Sequence, residues 1–250
     1  MTIAHSSPWY RRIGERVDSA ETVIWFPHAG GSASPLIRHF RALPPPVNLF
    51  AAALPGREGR FAEEMPDSLS QLITILVSEL PRLARPPIFV GHSFGALLAY
   101  CLAKSCAAQT IGPHRLVTMA LASPDQISQR DSIVHLNNRD FAEQLAQRYG
   151  GIPPSLRANQ EAMELLLPTV RNDLKLLESY QDDQDVVLDI PILAIAGSHD
   201  ERASAAKMHG WRTRTRGPFA METLPGDHFF PLTQINRVLQ LAMLSHDTSR

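Results

Sequence analysis

The sequence predicts an α/β protein with a mostly parallel central sheet and helices on both faces. Three observations predict it. Short apolar runs rich in β-formers recur along the chain, several are separated by stretches long enough for a helix, and one such stretch carries a clear helical stripe.

The strand candidates, in order, are Thr22–Phe26, Leu49–Ala53, Ile88–Val90, Leu116–Leu121 and Ile190–Ala196. Runs of this kind suit strands covered on both faces, as in parallel sheets packed between helices. Between the second and third, Ser68–Leu83 places Leu69, Leu72, Ile73, Leu76, Val77 and Leu80 at i, i+3, i+4 spacing, with Pro66 ahead of its start. This amphipathic helix should pack on the sheet. A shorter helix is expected from Pro35, and a further short strand before residue 226.

The stretch 122–189 is far longer than the dozen or so residues that a simple crossover needs. Phe141–Tyr149 and Glu161–Tyr180 are helical by pattern and are separated by the breaker run Gly150-Gly151-Ile152-Pro153-Pro154. An insertion at about 125–186 that forms a helical lid over a pocket is the expectation, since long excursions inside α/β enzymes often cover sites. At 250 residues and 44% hydrophobic content, the whole chain 1–250 is read as one domain built on this sheet.

Charge and composition exclude several classes. The 24 basic and 25 acidic side chains nearly cancel, so no overall field favours nucleic acid or an anionic membrane. The first twenty-odd residues lack the apolar core of a signal peptide, and no apolar run is long enough to span a bilayer. A soluble, cytoplasmic protein is expected. Cys101 and Cys106 share one predicted helix and read as reduced packing residues.

Chemistry enters at Ile88-Phe89-Val90-Gly91-His92-Ser93-Phe94-Gly95-Ala96, a buried-type strand, a Gly-x-Ser-x-Gly and then an apolar helix. A serine hydroxyl is a poor nucleophile unless it is exposed and paired with a base, and a sharp strand-to-helix turn exposes it. Gly91 and Gly95 are expected where side chains would collide. This is the nucleophile elbow of the α/β-hydrolase fold, so Ser93 is the candidate nucleophile.

In that fold the partners follow in the order acid, then histidine. Ile190–Ala196 is followed by Gly197-Ser198-His199-Asp200, which puts Asp200 at the carboxyl end of a strand, where open α/β sheets place their sites. Asp125, behind the preceding strand, is its rival. Leu224-Pro225-Gly226-Asp227-His228-Phe229-Phe230 offers His228 in a loop as general base. His92 and His199, adjacent to Ser93 and Asp200, read as supporting or surface residues.

After the first strand candidate, Phe26-Pro27-His28-Ala29-Gly30-Gly31-Ser32 is a small-residue loop able to bring backbone N–H groups to a substrate. The backbone N–H groups of Ala29 and Phe94 are the expected oxyanion donors. No metal-ligand spacing, phosphate loop or dinucleotide fingerprint is present, which implies chemistry without metal or cofactor.

Four segments carry a resemblance: 26–34, Leu54-Pro55-Gly56-Arg57-Glu58-Gly59-Arg60, Gly91–Ala96, and Gly226-Asp227-His228-Phe229-Phe230. In order and spacing they resemble the type II thioesterases that accompany nonribosomal peptide and polyketide synthases. The arginine-containing segment is the most discriminating, because general esterases share the elbow and the oxyanion loop but not usually this stretch. The resemblance implies hydrolysis of acyl groups from the phosphopantetheine thiol of a carrier protein, which would be the partner. A small-molecule carboxylesterase or lipase on the same fold is the rival. Arg57 is expected to fix its loop through carbonyls or carboxylates. Where the family often has Met or Leu, Phe94 is expected to narrow the acyl pocket; Asp227 replaces a common glycine beside the base. Arg212, Arg214 and Arg216 would align on one face of an extended segment and could meet an acidic carrier.

Overall fold

The computed structural model describes residues 7–15, 17, 20–39, 47–107, 112–127, 132–150, 152, 157–183 and 186–244. Its strands are β1 (Tyr10–Ile13), β2 (Glu21–Phe26), β3 (Val47–Ala52), β4 (Ile88–His92), β5 (Arg115–Met119), β6 (Ile192–Gly197) and β7 (Phe219–Leu224). They form one seven-stranded sheet in the order β1-β3-β2-β4-β5-β6-β7. Only β1 is antiparallel to its neighbour. The five runs expected to be strands all lie in this sheet.

Among the described residues the α-helices are α1 (Ser34–His39), α2 (Leu69–Ser78), α3 (Phe94–Cys106), α4 (Asn138–Tyr149), α5 (Gln160–Glu178), α6 (Ala205–His209), α7 (Phe230–Thr233) and α8 (Ile235–Met243). Alternation along each strand feeds two cores. Ile24 and Phe26 of β2 join Leu72 and Leu76 of α2, Leu97 of α3 and Leu174 of α5. Val23 and Trp25 face the other way, onto Leu36 of α1 and Val238 and Leu239 of α8. Each large side chain so buried contributes about 1.5–3 kcal/mol relative to exposure. Among the described residues no helix is long and apolar enough to cross a membrane.

Local rules account for several boundaries. Ser68 caps α2, accepting from the Gln71 N–H, but the helix stops at Ser78 rather than at the expected Leu83. Pro81 disfavours helical backbone at Leu80, so propensity beyond that point is overridden. β1 was not expected, because Tyr10-Arg11-Arg12-Ile13 carries two exposed arginines at its centre. Its pairing with β3 on the sheet edge, where charged side chains are tolerated, makes it a strand. Both cysteines lie on α3 as free thiols.

The arginine alternation near residue 214 does not produce an extended face. Residues 210–214 form a 3-10 turn, with Trp211 buried and its Nε1–H donating to the Leu121 carbonyl at 2.8 Å. Arg214 turns inward to Asp125 at 2.9 Å and Asp182 at 2.8 Å, while Arg212 and Arg216 remain exposed. The reading of three aligned charges is therefore wrong. Two acids distant in sequence neutralise the middle arginine, and one buried indole sets the turn.

Candidate active site

β4 ends at His92 and α3 begins at Phe94, leaving Ser93 alone at the turn with φ 54° and ψ −118°. A non-glycine residue held there costs on the order of 1–3 kcal/mol, which the surrounding packing must offset. The closeness of that packing is visible at the two glycines. A Cβ on Gly91 would stand 2.3 Å from the Gly95 carbonyl oxygen, and one on Gly95 would stand 2.0 Å from that of Phe26. No side chain fits at either position, so the motif is a steric requirement of the turn.

Three side chains from three loops converge on this turn. His228 Nε2 lies 3.0 Å from Ser93 Oγ, and its Nδ1 lies 2.9 Å from Asp200 Oδ2. The other oxygen of Asp200 accepts from the backbone N–H groups of Arg202 and Ala203, both at 3.0 Å. Burial alone would raise the Asp200 pKa, but the hydrogen bond and charge of His228, with those two N–H groups, lower it below the ordinary carboxylate range. Asp200 is thus ionised and oriented toward Nδ1. The rival Asp125 pairs with Arg214 instead.

The loop that carries His228 is shaped by its neighbours. Gly226 has φ 126°, and Asp227 accepts the Phe229 N–H at 2.9 Å, so the residue standing where the family often has glycine caps the loop rather than disturbing it. His92 lies beneath His228, its Nε2–H donating to the His228 carbonyl at 2.8 Å, whereas His199 is exposed. The His28 ring packs 4.9 Å from that of His92.

Both of these histidines are held neutral. Burial first, then the nearby His28 and His228, push His92 well below 6.5, against the raising effect of its hydrogen bond to the His228 carbonyl. His28, which keeps an edge on the cavity, is lowered to about 3 by burial, then by His228 and Arg57. On unfolding each regains a pKa near 6.5, so below that pH the unfolded chain binds more protons and stability falls as pH drops. Each imidazole should remove about 1 kcal/mol per pH unit well below 6.5, and the effect is cleanest for His92, which is shut off from water. Urea unfolding at pH 7 and pH 5 should show a loss for the native chain that shrinks in His92→Gln. An unchanged pH dependence in the variant would reject this account.

Of the two expected oxyanion donors, one follows Ser93 directly in the chain and the other lies in a loop that reaches the same cavity. Phe94, as the first residue of α3, has an N–H with no carbonyl partner inside the helix. Ala29 lines the cavity beside Ser93. Its loop is braced by a residue that the sequence did not flag: Asp173 of α5 accepts the Gly30 N–H at 2.7 Å and both terminal nitrogens of Arg57 at 2.7 and 2.9 Å. Arg57 also donates to the carbonyls of Pro55 and Gly31 at 3.1 and 3.3 Å, which is the loop-fixing role expected of it. An acid on the apolar stripe of α5, between Val170 and Leu174, was the available signal.

A cavity of about 170 Å³ opens over Ser93 and His228. Its walls are apolar: Leu145 and Tyr149 from α4, and Leu166, Val170 and Leu174 from α5. The Tyr149 ring stands 5.0 Å from the ring of His228. Phe94 does not line this cavity; its side chain is fully buried in the core cluster that also holds Phe26, Phe89 and Leu97. The expected narrowing by Phe94 is therefore not found. Of the breaker between the two helices, Gly151, Pro153 and Pro154 lie outside the described residues. Among the described residues no cluster of three or more His, Cys, Asp or Glu side chains could hold a metal.

A sheet of this order with a serine, histidine and aspartate at its carboxyl edge is compatible with many hydrolases, and relatives narrow the choice. Residues 21–244 match the thioesterase domain family. The chain belongs to the type II thioesterases of nonribosomal peptide and polyketide synthesis. It is 30% identical over 232 residues to the gramicidin S biosynthesis protein GrsT of Aneurinibacillus migulanus, covering 91% of this chain and 90% of that one. It is 32% identical over 233 residues to thioesterase PikA5 of Streptomyces venezuelae, covering 90% and 80%. The type II thioesterase BorB from the borrelidin biosynthetic cluster superposes with a TM-score of 0.85 at 28% identity, covering 95% of this chain and 97% of that one. The thioesterase thus shares its fold and nearly its whole length with family members.

Proposed function

We propose that this thioesterase releases acyl groups from the phosphopantetheine thiol of a carrier protein, through an acyl-enzyme intermediate on Ser93. The observation that carries the reading is the Ser93, His228 and Asp200 relay at the floor of an apolar cavity, in a chain of the type II thioesterase family of nonribosomal peptide and polyketide synthesis. Ser93 Oγ attacks the thioester carbonyl while His228 Nε2 takes its proton, and Asp200 stabilises the imidazolium that forms. The Ala29 and Phe94 N–H groups receive the developing oxyanion.

A thiol of pKa about 8.5 leaves as thiolate more readily than an alkoxide or amine would, so acylation needs little acid help. Water, deprotonated by the same imidazole, then cleaves the Ser93 ester. α4 and α5, inserted between β5 and β6, act as the lid of the acyl pocket and shield the ester from bulk water. The cavity, about 170 Å³ and walled by apolar side chains, suits an acyl chain.

The deciding experiment compares acyl release from a phosphopantetheinylated carrier with hydrolysis of the matching free oxygen ester. The expected result is a kcat/KM for the carrier substrate at least about 100-fold above that for the free ester, some 3 kcal/mol from carrier recognition and the better leaving group together. Turnover of the free ester alone would move the function to a small-molecule carboxylesterase on the same relay.

A further inference from the structure

One carboxylate ties together three segments that are remote in sequence. Asp173, 2% exposed, joins α5 to the Gly30 N–H of the oxyanion loop and to Arg57 of the loop after β3. One helical turn earlier, Thr169 donates its hydroxyl to the Gly56 carbonyl at 2.7 Å. The contact with Gly30 is close as well, since a Cβ there would stand 2.5 Å from Val170 Cγ2. The loop that carries Ala29 is therefore braced by α5. The same helix presents Leu166, Val170 and Leu174 to the cavity above Ser93.

We propose that Asp173 is a positioning residue that makes the seating of α5 and the aiming of the Ala29 N–H a single event, so that acyl contacts on α5 are expressed in kcat. The inference rests on the reading of this cavity as the acyl pocket. Displacing α5 would separate a buried carboxylate from a buried guanidinium and leave each without its counter-charge, so intermediate positions are disfavoured and the helix is either seated or not. An acyl chain that packs on Leu166, Val170 and Leu174 favours the seated state. The oxyanion donor is then in place when charge develops, and contacts remote from the carbonyl lower the barrier as well as aiding binding.

The test measures kcat and KM separately for acetyl to hexanoyl thioesters of N-acetylcysteamine. Removing one partner of a buried ion pair can unfold a protein, so the variant of choice is the double substitution Arg57→Met with Asp173→Leu, which removes both charges at similar volume. Its folding is checked by thermal melting. The expected result is a kcat lowered about 10- to 100-fold, less than the loss of a whole oxyanion donor, with KM within about threefold and the rise of kcat with chain length flattened. A folded double variant with the native kcat and chain-length profile, or with a change confined to KM, overturns the proposal. If the double variant does not fold, Val170→Ala, which thins the contact of α5 with Gly30 and keeps the ion pair, should lower kcat for hexanoyl more than for acetyl; equal effects overturn it. Should the native enzyme cleave only oxygen esters, the functional reading fails, yet the same series run on p-nitrophenyl esters still decides the role of Asp173.

Discussion

Replacing Ser93 with alanine is expected to lower kcat by about 10⁵- to 10⁶-fold, the scale seen when the nucleophile of a serine relay is removed. Alanine keeps the Cβ that already occupies the turn at φ 54°, so the backbone adds no new strain. Ser93 Oγ is within hydrogen-bond distance of His228 Nε2, and its loss leaves that nitrogen facing the cavity rather than an apolar wall. Melting temperature should therefore stay close to native while turnover disappears. Mass spectrometry after mixing with acyl carrier would show acylated protein for the native chain and none for the variant. Turnover above about a hundredth of native would point to a different nucleophile and sink the assignment.

Asp200→Asn should cost about 10⁴-fold in kcat although it changes a single atom, because it reverses the tautomer of the base. Oδ1 of Asp200 accepts two backbone N–H groups, from Arg202 and Ala203. In asparagine the amide oxygen must keep that position, which turns the NH₂ toward His228 Nδ1. Nδ1 then becomes an acceptor, the proton moves to Nε2, and the imidazole can no longer take the Ser93 proton. Asp125→Asn is the control: its carboxylate meets Arg214 and not the relay, so kcat should remain within a few-fold of native. Comparable losses in the two variants would mean that the acid had been assigned wrongly.

The relay was legible in the sequence because each of its parts is announced locally. Ser93 sits between two glycines that sterics require, at the junction of a buried strand and an apolar helix. Asp200 follows the strand β6, and His228 stands in a turn opened by Gly226 after β7. The two helices of the insertion were equally legible, since the apolar positions of α4 and α5 recur at helical spacing. Where local reading failed, a distant partner was responsible. Tyr10–Ile13 becomes a strand only by pairing with β3, and Arg214 is turned inward by Asp125 and Asp182.

Sterics, periodicity and chain order, which act between near neighbours, thus determined from the sequence alone the α/β class, the three side chains that the structure brings together as Ser93, His228 and Asp200, and the two helices between β5 and β6. Only the tertiary structure decided what the insertion does to the site. Arg57 and Asp173 are 116 residues apart, and nothing in the local pattern of either selects the other. Their pairing follows from low-dielectric burial, where a guanidinium and a carboxylate must satisfy each other once packing brings α5 against the Gly30 loop.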